Sequence, residues 1–125
     1  MPRSEVVFYK HDDETAPAYD ALRALWASGR RKPLAKCLVR IERLAELGHE
    51  LRRPEADYLR DGIHELRATF RSVPYRILYF FHGRQLAEVS RLITKQDVVQ
   101  VAEINRAIAD KARFAADPAK HTLRI

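Results

Sequence analysis

The sequence predicts one α+β domain, with helices packed on one face of a small twisted antiparallel sheet. Three strand-like runs between Ile63 and Ile93 are joined by tight links, which implies a meander. Two segments before them and one after carry apolar residues at helical spacing. With 125 residues, 46% hydrophobic and 32% charged, the chain suits a single hydrophobic core and does not resemble a disordered one. The order reads β-α-α-β-β-β-α, and the sheet face away from the helices is expected to be concave and open.

Each element has a local reason. VVFYK, residues 6 to 10, is β-branched and aromatic, a first strand. HDDETAP then turns the chain, with Thr15 as an N-cap and Pro17 in the first helical turn. Ala18, Leu22, Leu25 and Trp26 form a helical stripe that Gly29 ends. A second helix runs from about Pro33 to Leu47, with Leu34, Cys37, Leu38, Ile41, Leu44 and Ala45 as its apolar stripe and Gly48 after it. Residues 49 to 62 carry Pro54, Gly62 and many charges and read as a surface connection.

From Ile63 to Arg71 the residues alternate: Leu66, Ala68 and Phe70 on one side, Glu65, Arg67, Thr69 and Arg71 on the other. Tyr75 to His82 is apolar on both faces apart from Arg76 and His82, which marks a central strand. Gly83 suits a hairpin link, and a third, mixed strand covers about Leu86 to Ile93. Asp97 caps a last helix, with Gln100 three residues on. Its buried stripe is Val101, Ile104, Ile108, Ala112 and Ala115, and Pro118 begins a short tail.

Composition narrows the function. No apolar run approaches the roughly 18 to 20 residues of a membrane helix, and the start MPRSEVVFYK has no signal-peptide core. A lone cysteine, Cys37, excludes an internal disulfide and a Cys-rich zinc site, and its apolar neighbours suggest a buried thiol. The expected compartment is the cytoplasm, with no membrane partner. The formal net charge of +6 and pI of about 9.8 favour a nucleic-acid or acidic protein partner. Between Arg60 and Lys95 seven basic residues face three acidic ones, a net +4 in the segment read as sheet.

There is no Walker A loop, no G-x-G-x-x-G, no HExxH and no evident Ser/His/Asp grouping. His11-Asp12-Asp13-Glu14 has metal-ligand chemistry but reads better as a solvated turn, so neither a metal nor a cofactor is expected. What stands out are arginines inside strands, Arg67, Arg71 and Arg76, with Arg91 and Lys95 at the end of the next strand. Guanidinium groups bind phosphate oxygens bidentately and stay charged at physiological pH. Gathered on an open sheet they suit a nucleic-acid backbone, with Tyr75 and Tyr79 as stacking surfaces or a source of a phenolic proton. The alternative is cross-strand Glu–Arg pairing with both tyrosines in the core.

ELRATFRSVPYRILYFFHGRQLAEV, then TKQ and a closing amphipathic helix, resembles the RelE/ParE toxin superfamily, and within it the HigB-like, phage-associated branch. The matching motifs are Glu65-Leu66-Arg67, Tyr75-Arg76-Ile77-Leu78-Tyr79 and the basic end of the third strand, Leu92-Ile93-Thr94-Lys95. Each motif is short; their order and spacing across almost the whole chain carry the likeness.

The resemblance implies a toxin of a type II toxin–antitoxin module that cleaves messenger RNA on the ribosome, by attack of a ribose 2′-hydroxyl on the adjacent phosphate without a metal. It implies Arg76 as the phosphate-stabilising residue, Arg67 as a substrate contact and Lys95 as a phosphate or proton-transfer residue. Glu65 and Tyr79 are further proton-transfer candidates, and Arg71, Arg84, Arg91 and Tyr75 are candidates for RNA binding. The implied partners are an acidic or helix-turn-helix antitoxin, ribosome-bound mRNA, and promoter DNA through the antitoxin complex. Relatives in this branch often read L-H-G-F-x-K-K where this chain has Val89-Ser90-Arg91-Leu92-Ile93-Thr94-Lys95, so Ser90 stands in the place of a histidine. That substitution leaves the acid and base open, and with them a non-catalytic alternative on the same fold: a ParE-like gyrase inhibitor or a degenerate phage-derived binding module.

Overall fold

A computed structural model describes residues 3–94 and 99–124. β1 (Glu5–Tyr9) is followed by α1 (Pro17–Ala27), α2 (Arg31–Leu47) and a single 3-10 turn, Gly48–Glu50. Then come β2 (Ala56–Arg60), β3 (Ile63–Phe70), β4 (Val73–His82), β5 (Leu86–Thr94), α3 (Val101–Ala116) and β6 (Thr122–Leu123). The strands make one sheet in the order β2-β3-β4-β5-β1-β6. β2 to β5 form the expected antiparallel meander, β1 lies parallel beside β5, and β6 pairs antiparallel with β1.

Two stretches of the chain are more ordered than expected. The connection after α2 contains β2, whose backbone completes the outer edge of the meander. Its period-2 signal is only five residues long and follows Pro54, too short to read against so many charges. The segment after Pro118 is no loose tail either. β6 pairs with β1, and the His121 ring stacks on Tyr9 at 5.3 Å while its Nδ1 meets the Lys10 carbonyl at 2.8 Å.

Helix starts also differ from expectation. Thr15 does not cap α1: its hydroxyl and N–H both donate to Asp13 Oδ1, at 2.6 and 3.0 Å. Asp20, one turn into the helix, instead accepts the Ala16 N–H at 3.0 Å. The Asp97 cap lies outside the described residues, and Gln100 occupies the N-cap position of α3.

The two faces of the sheet are covered differently. α1 and α2 bury Phe8, Leu66, Ala68, Ile77, Tyr79, Ala87 and Val89 on one face. On the other, α3 lays Ile104, Ala107 and Phe114 over Tyr9, Ile63, Leu78, Phe80 and Ile93. The face expected to be open is therefore partly roofed. Leu78 and Phe80 alternate outward on it, and leaving them in water would cost about 2 kcal/mol each. The stripe of α3 is also rotated from the expected one: Val101 is 64% exposed and Ala112 and Ala115 are exposed, while Ala107, Asp110 and Phe114 are buried. A polar Asp110 in the buried row hid the true face. Trp26 and Leu38, expected in the stripes of the first two helices, are likewise exposed at 56% and 43%. Cys37 is fully buried, as expected, and burial pushes its thiol up to about 11.

Glu88 on β5 is fully buried, and neither carboxylate oxygen has a hydrogen-bond partner among the described residues. Burial pushes its carboxyl up to about 9 from an ordinary 4.5, so the folded protein holds a proton that the unfolded chain releases. Its stabilising contribution is complete below about pH 4.5 and declines as pH rises to about 9. Glu88→Gln is expected to flatten that decline and to be more stable than the parent at the alkaline end. Urea midpoints across the range measure it, and an unchanged pH slope would exclude Glu88 as its source.

Candidate functional site

Strand alternation puts Glu65 and Arg67 of β3 and Arg76 of β4 on the face that carries α3. They lie beyond the apolar Leu78–Phe80 region, toward the Arg71–Ser72 turn. The register sets Arg67 directly opposite Arg76. Like charges in that relation destabilise a sheet, so something must compensate. Glu65 does: Arg67 Nε donates to its Oε2 at 2.8 Å, and Arg76 Nη1 donates to Oε1 and Oε2 at 3.0 and 3.1 Å. Asp57 on β2 extends the cluster, its Oδ2 accepting from Arg67 Nη2 at 3.1 Å and Arg53 Nη2 at 2.7 Å. The Arg53 hydrogen bond holds the Asp57 carboxyl below the usual carboxylate range, against its partial desolvation.

Exposure increases from the buried carboxylate outward. The side chains of Glu65, Arg76 and Arg67 are 2%, 17% and 38% exposed. Among the described residues, three guanidiniums meet two carboxylates at the mouth, a net charge of +1. Behind the cluster, Arg40 Nε of α2 donates to the Arg67 carbonyl at 2.7 Å and so fixes this part of β3 from the other side. The arrangement is a rigid, positively charged surface with two guanidiniums held side by side, suited to an anionic group with several oxygens.

Residues 20–113 match the family model described as phage-derived protein Gp49-like (DUF891). The chain belongs to the Gp49-like family. That family is a toxin-like module within the RelE/HigB-like superfamily, and its place there implies an antitoxin partner. A search of curated proteins finds no match to the chain. Among the described residues of this Gp49-like chain, no helix is long and apolar enough to cross a membrane, and no group of three or more His, Cys, Asp or Glu is placed to hold a metal. The His11–Glu14 run is a turn closed by the Lys10–Glu14 ion pair and the Thr15–Asp13 bonds.

The other expected site residues of the Gp49-like protein do not all converge. Tyr75 and Tyr79 lie on the α1–α2 face, opposite the guanidiniums. Tyr79 is 1% exposed, burial pushes its phenol up, and its ring stacks on His64 at 5.1 Å. His64 is on that face too, and its own burial lowers its pKa. Arg71 occupies the β3–β4 turn, and Arg84 is exposed in the turn at the other end of β4. Lys95 lies outside the described residues.

Arg91 is on the right face but is committed elsewhere. A bulge between Leu78 and Tyr79 sets Val89 opposite Tyr79 and Arg91 opposite Leu78, leaving Ser90 as the extra residue. Ser90 Oγ then donates to Asp110 Oδ2 at 2.8 Å, and Arg91 Nε reaches the same oxygen at 3.1 Å. Arg113 Nη1 donates to Oδ1 at 3.3 Å. Ser90 is thus a tether for α3. Sequence reasoning missed Asp57, Arg53 and Asp110: the first two sit in the segment read as a connection. The third showed only as an acid breaking an apolar row.

Proposed function

We propose that this Gp49-like protein is the toxin of a toxin–antitoxin module and an endoribonuclease that cuts mRNA on the ribosome. The observation that carries the reading is the side-by-side placement of Arg67 and Arg76 above buried Glu65. A sheet built only for stability gains nothing from opposing two arginines, whereas a phosphorane with developing negative charge is stabilised by both. In the proposed reaction the 2′-oxygen bonds to phosphorus as the bond to the 5′-oxygen breaks. The products are a 2′,3′-cyclic phosphate and a free 5′-hydroxyl, with one proton leaving the nucleophile and one reaching the leaving oxygen.

Arg76, the less exposed guanidinium, would bear on the phosphorane, and Arg67 on a neighbouring phosphate oxygen. Glu65 is a positioning residue, its oxygens already accepting from both arginines. Tyr79 has no part in proton transfer in this scheme, because it faces the other side of the sheet. Lys95 remains the proposed proton donor to the 5′-oxygen. The antitoxin is proposed to cover the guanidinium surface, and the complex to bind its own promoter.

Tightly controlled expression in bacteria, with RNA 5′ ends mapped across the transcriptome, tests the reading. New ends inside translated frames, dependent on translation and absent with Arg76→Ala, are expected. Growth arrest without new ends would sink the nuclease and favour a target such as gyrase. Neither arrest nor cleavage would favour a binding module.

A further inference from the structure

A second basic feature lies on the other side of the β3–β4 turn. Between the α1–α2 link and that turn is a cavity of about 610 Å³, with Arg30, Arg31 and Lys32 on one wall and Arg71 on the other. Phe70 and Tyr75 contribute its apolar floor. All four cations are exposed, and none forms an ion pair with the described residues. No acidic residue occurs between Gly29 and Ile41 to neutralise them. Four uncompensated charges around one concavity repel one another, and a polyanion would relieve that repulsion.

Two of the four are already ordered. The Arg31 guanidinium lies 4.2 Å from the centre of the Trp26 ring, and that of Arg71 lies 5.2 Å from the centre of Phe70. A guanidinium held over a ring can still present N–H groups to oxyanions, and fixing it beforehand lowers the entropy lost on binding. Arg71 also stands at φ 51°, a left-handed conformation that suits glycine better. The turn geometry therefore does not account for the arginine.

We infer that this cleft binds the phosphate backbone of single-stranded RNA, as a second anchor for the strand on which the Arg67–Arg76 cluster acts. Arg71 is four residues from Arg67 along the same hairpin, about 13 Å at strand rise, so one extended strand passing over the turn reaches both. Cations on both walls of one cleft match the spaced phosphates of an extended strand. The inference rests on the chain acting on RNA, and the test keeps the two claims apart.

The probe is a labelled single-stranded RNA of about twelve nucleotides with 2′-O-methyl groups, which cannot be cut by 2′-hydroxyl attack. Its binding is measured by fluorescence anisotropy over a salt series, with the full chain and two variants. The triple variant Arg30→Ala/Arg31→Ala/Arg71→Gly removes exposed side chains and puts glycine where the backbone favours it, and circular dichroism checks its fold. Losing three phosphate contacts should reduce the slope of log K against log salt by about 2, against less than 1 for Arg76→Ala. An unchanged slope in the triple variant, with the parent still binding RNA, overturns the cleft and leaves the nuclease reading standing. No RNA binding by the parent at low salt overturns the cleft, while the ribosome-dependent nuclease reading stands or falls by the mapped 5′ ends. Polyglutamate binding that depends on the three arginines while RNA binding does not would reassign the cleft to an acidic protein.

Discussion

Arg76→Ala is expected to lower the cleavage of ribosome-bound message by about 10²–10³-fold, the usual cost of removing one group that stabilises transition-state charge. The side chain is 17% exposed and donates to both oxygens of Glu65, so its guanidinium is held in place before any RNA arrives. Removing it also leaves Glu65 paired with Arg67 alone, and some loss of stability will accompany the loss of activity. Arg76→Lys separates the two effects. It retains a positive charge beside Glu65 and so the fold, but loses the planar fork, and most of the activity should go with it. Single-turnover cleavage on purified ribosomes, with thermal melting of each variant, measures both. Arg76→Ala cleaving within a few-fold of the parent would remove the arginine from the chemistry. Folded Arg76→Lys at parental rates would reduce its role to charge alone.

Asp110→Ala is expected to cost about 3 kcal/mol of stability, or a melting temperature lower by roughly 10–15 °C. Asp110 is fully buried and is the common acceptor for Ser90, Arg91 and Arg113. Without it the buried Ser90 hydroxyl loses its acceptor, and the guanidinium of Arg91, 18% exposed, is left without its counter-charge. The network joins β5 to α3, so the damage should centre on that helix and the roof it makes over Leu78 and Phe80. Hydrogen exchange resolved by segment should show α3 losing protection before α1 and α2. Ser90→Ala, which removes one neutral donor only, should cost about 1 kcal/mol. If Asp110→Ala melts within a degree or two of the parent, the tether does not hold α3 in place.

Much of this was readable along the chain because it depends on local period and turn chemistry. The alternation from Ile63 to Phe70 placed Glu65 and Arg67 together on one face, opposite Leu66 and Ala68, as the structure has them. The central strand showed as apolar on both sides because it is buried on both sides. What failed depended on partners distant in sequence. β2 owes its strand state to pairing with β3, which five residues cannot announce. Trp26 and Leu38 look like core residues by spacing, yet the sheet leaves them outside. Arg91 and Arg76 look alike in sequence; only the bulge at Ser90 and the docking of α3 commit Arg91 to Asp110.

By itself, then, the sequence determined the α+β class, the meander, the helices and the basic character of the sheet, since periodicity, glycine turns and charge are local properties. Tertiary structure decided which arginines share an anion-binding surface. Cross-strand register set Arg67 against Arg76 over Glu65, and sheet sidedness placed Tyr79 behind them. It also made a basic cleft from the α1–α2 link and the β3–β4 turn, segments about forty residues apart that only packing brings together.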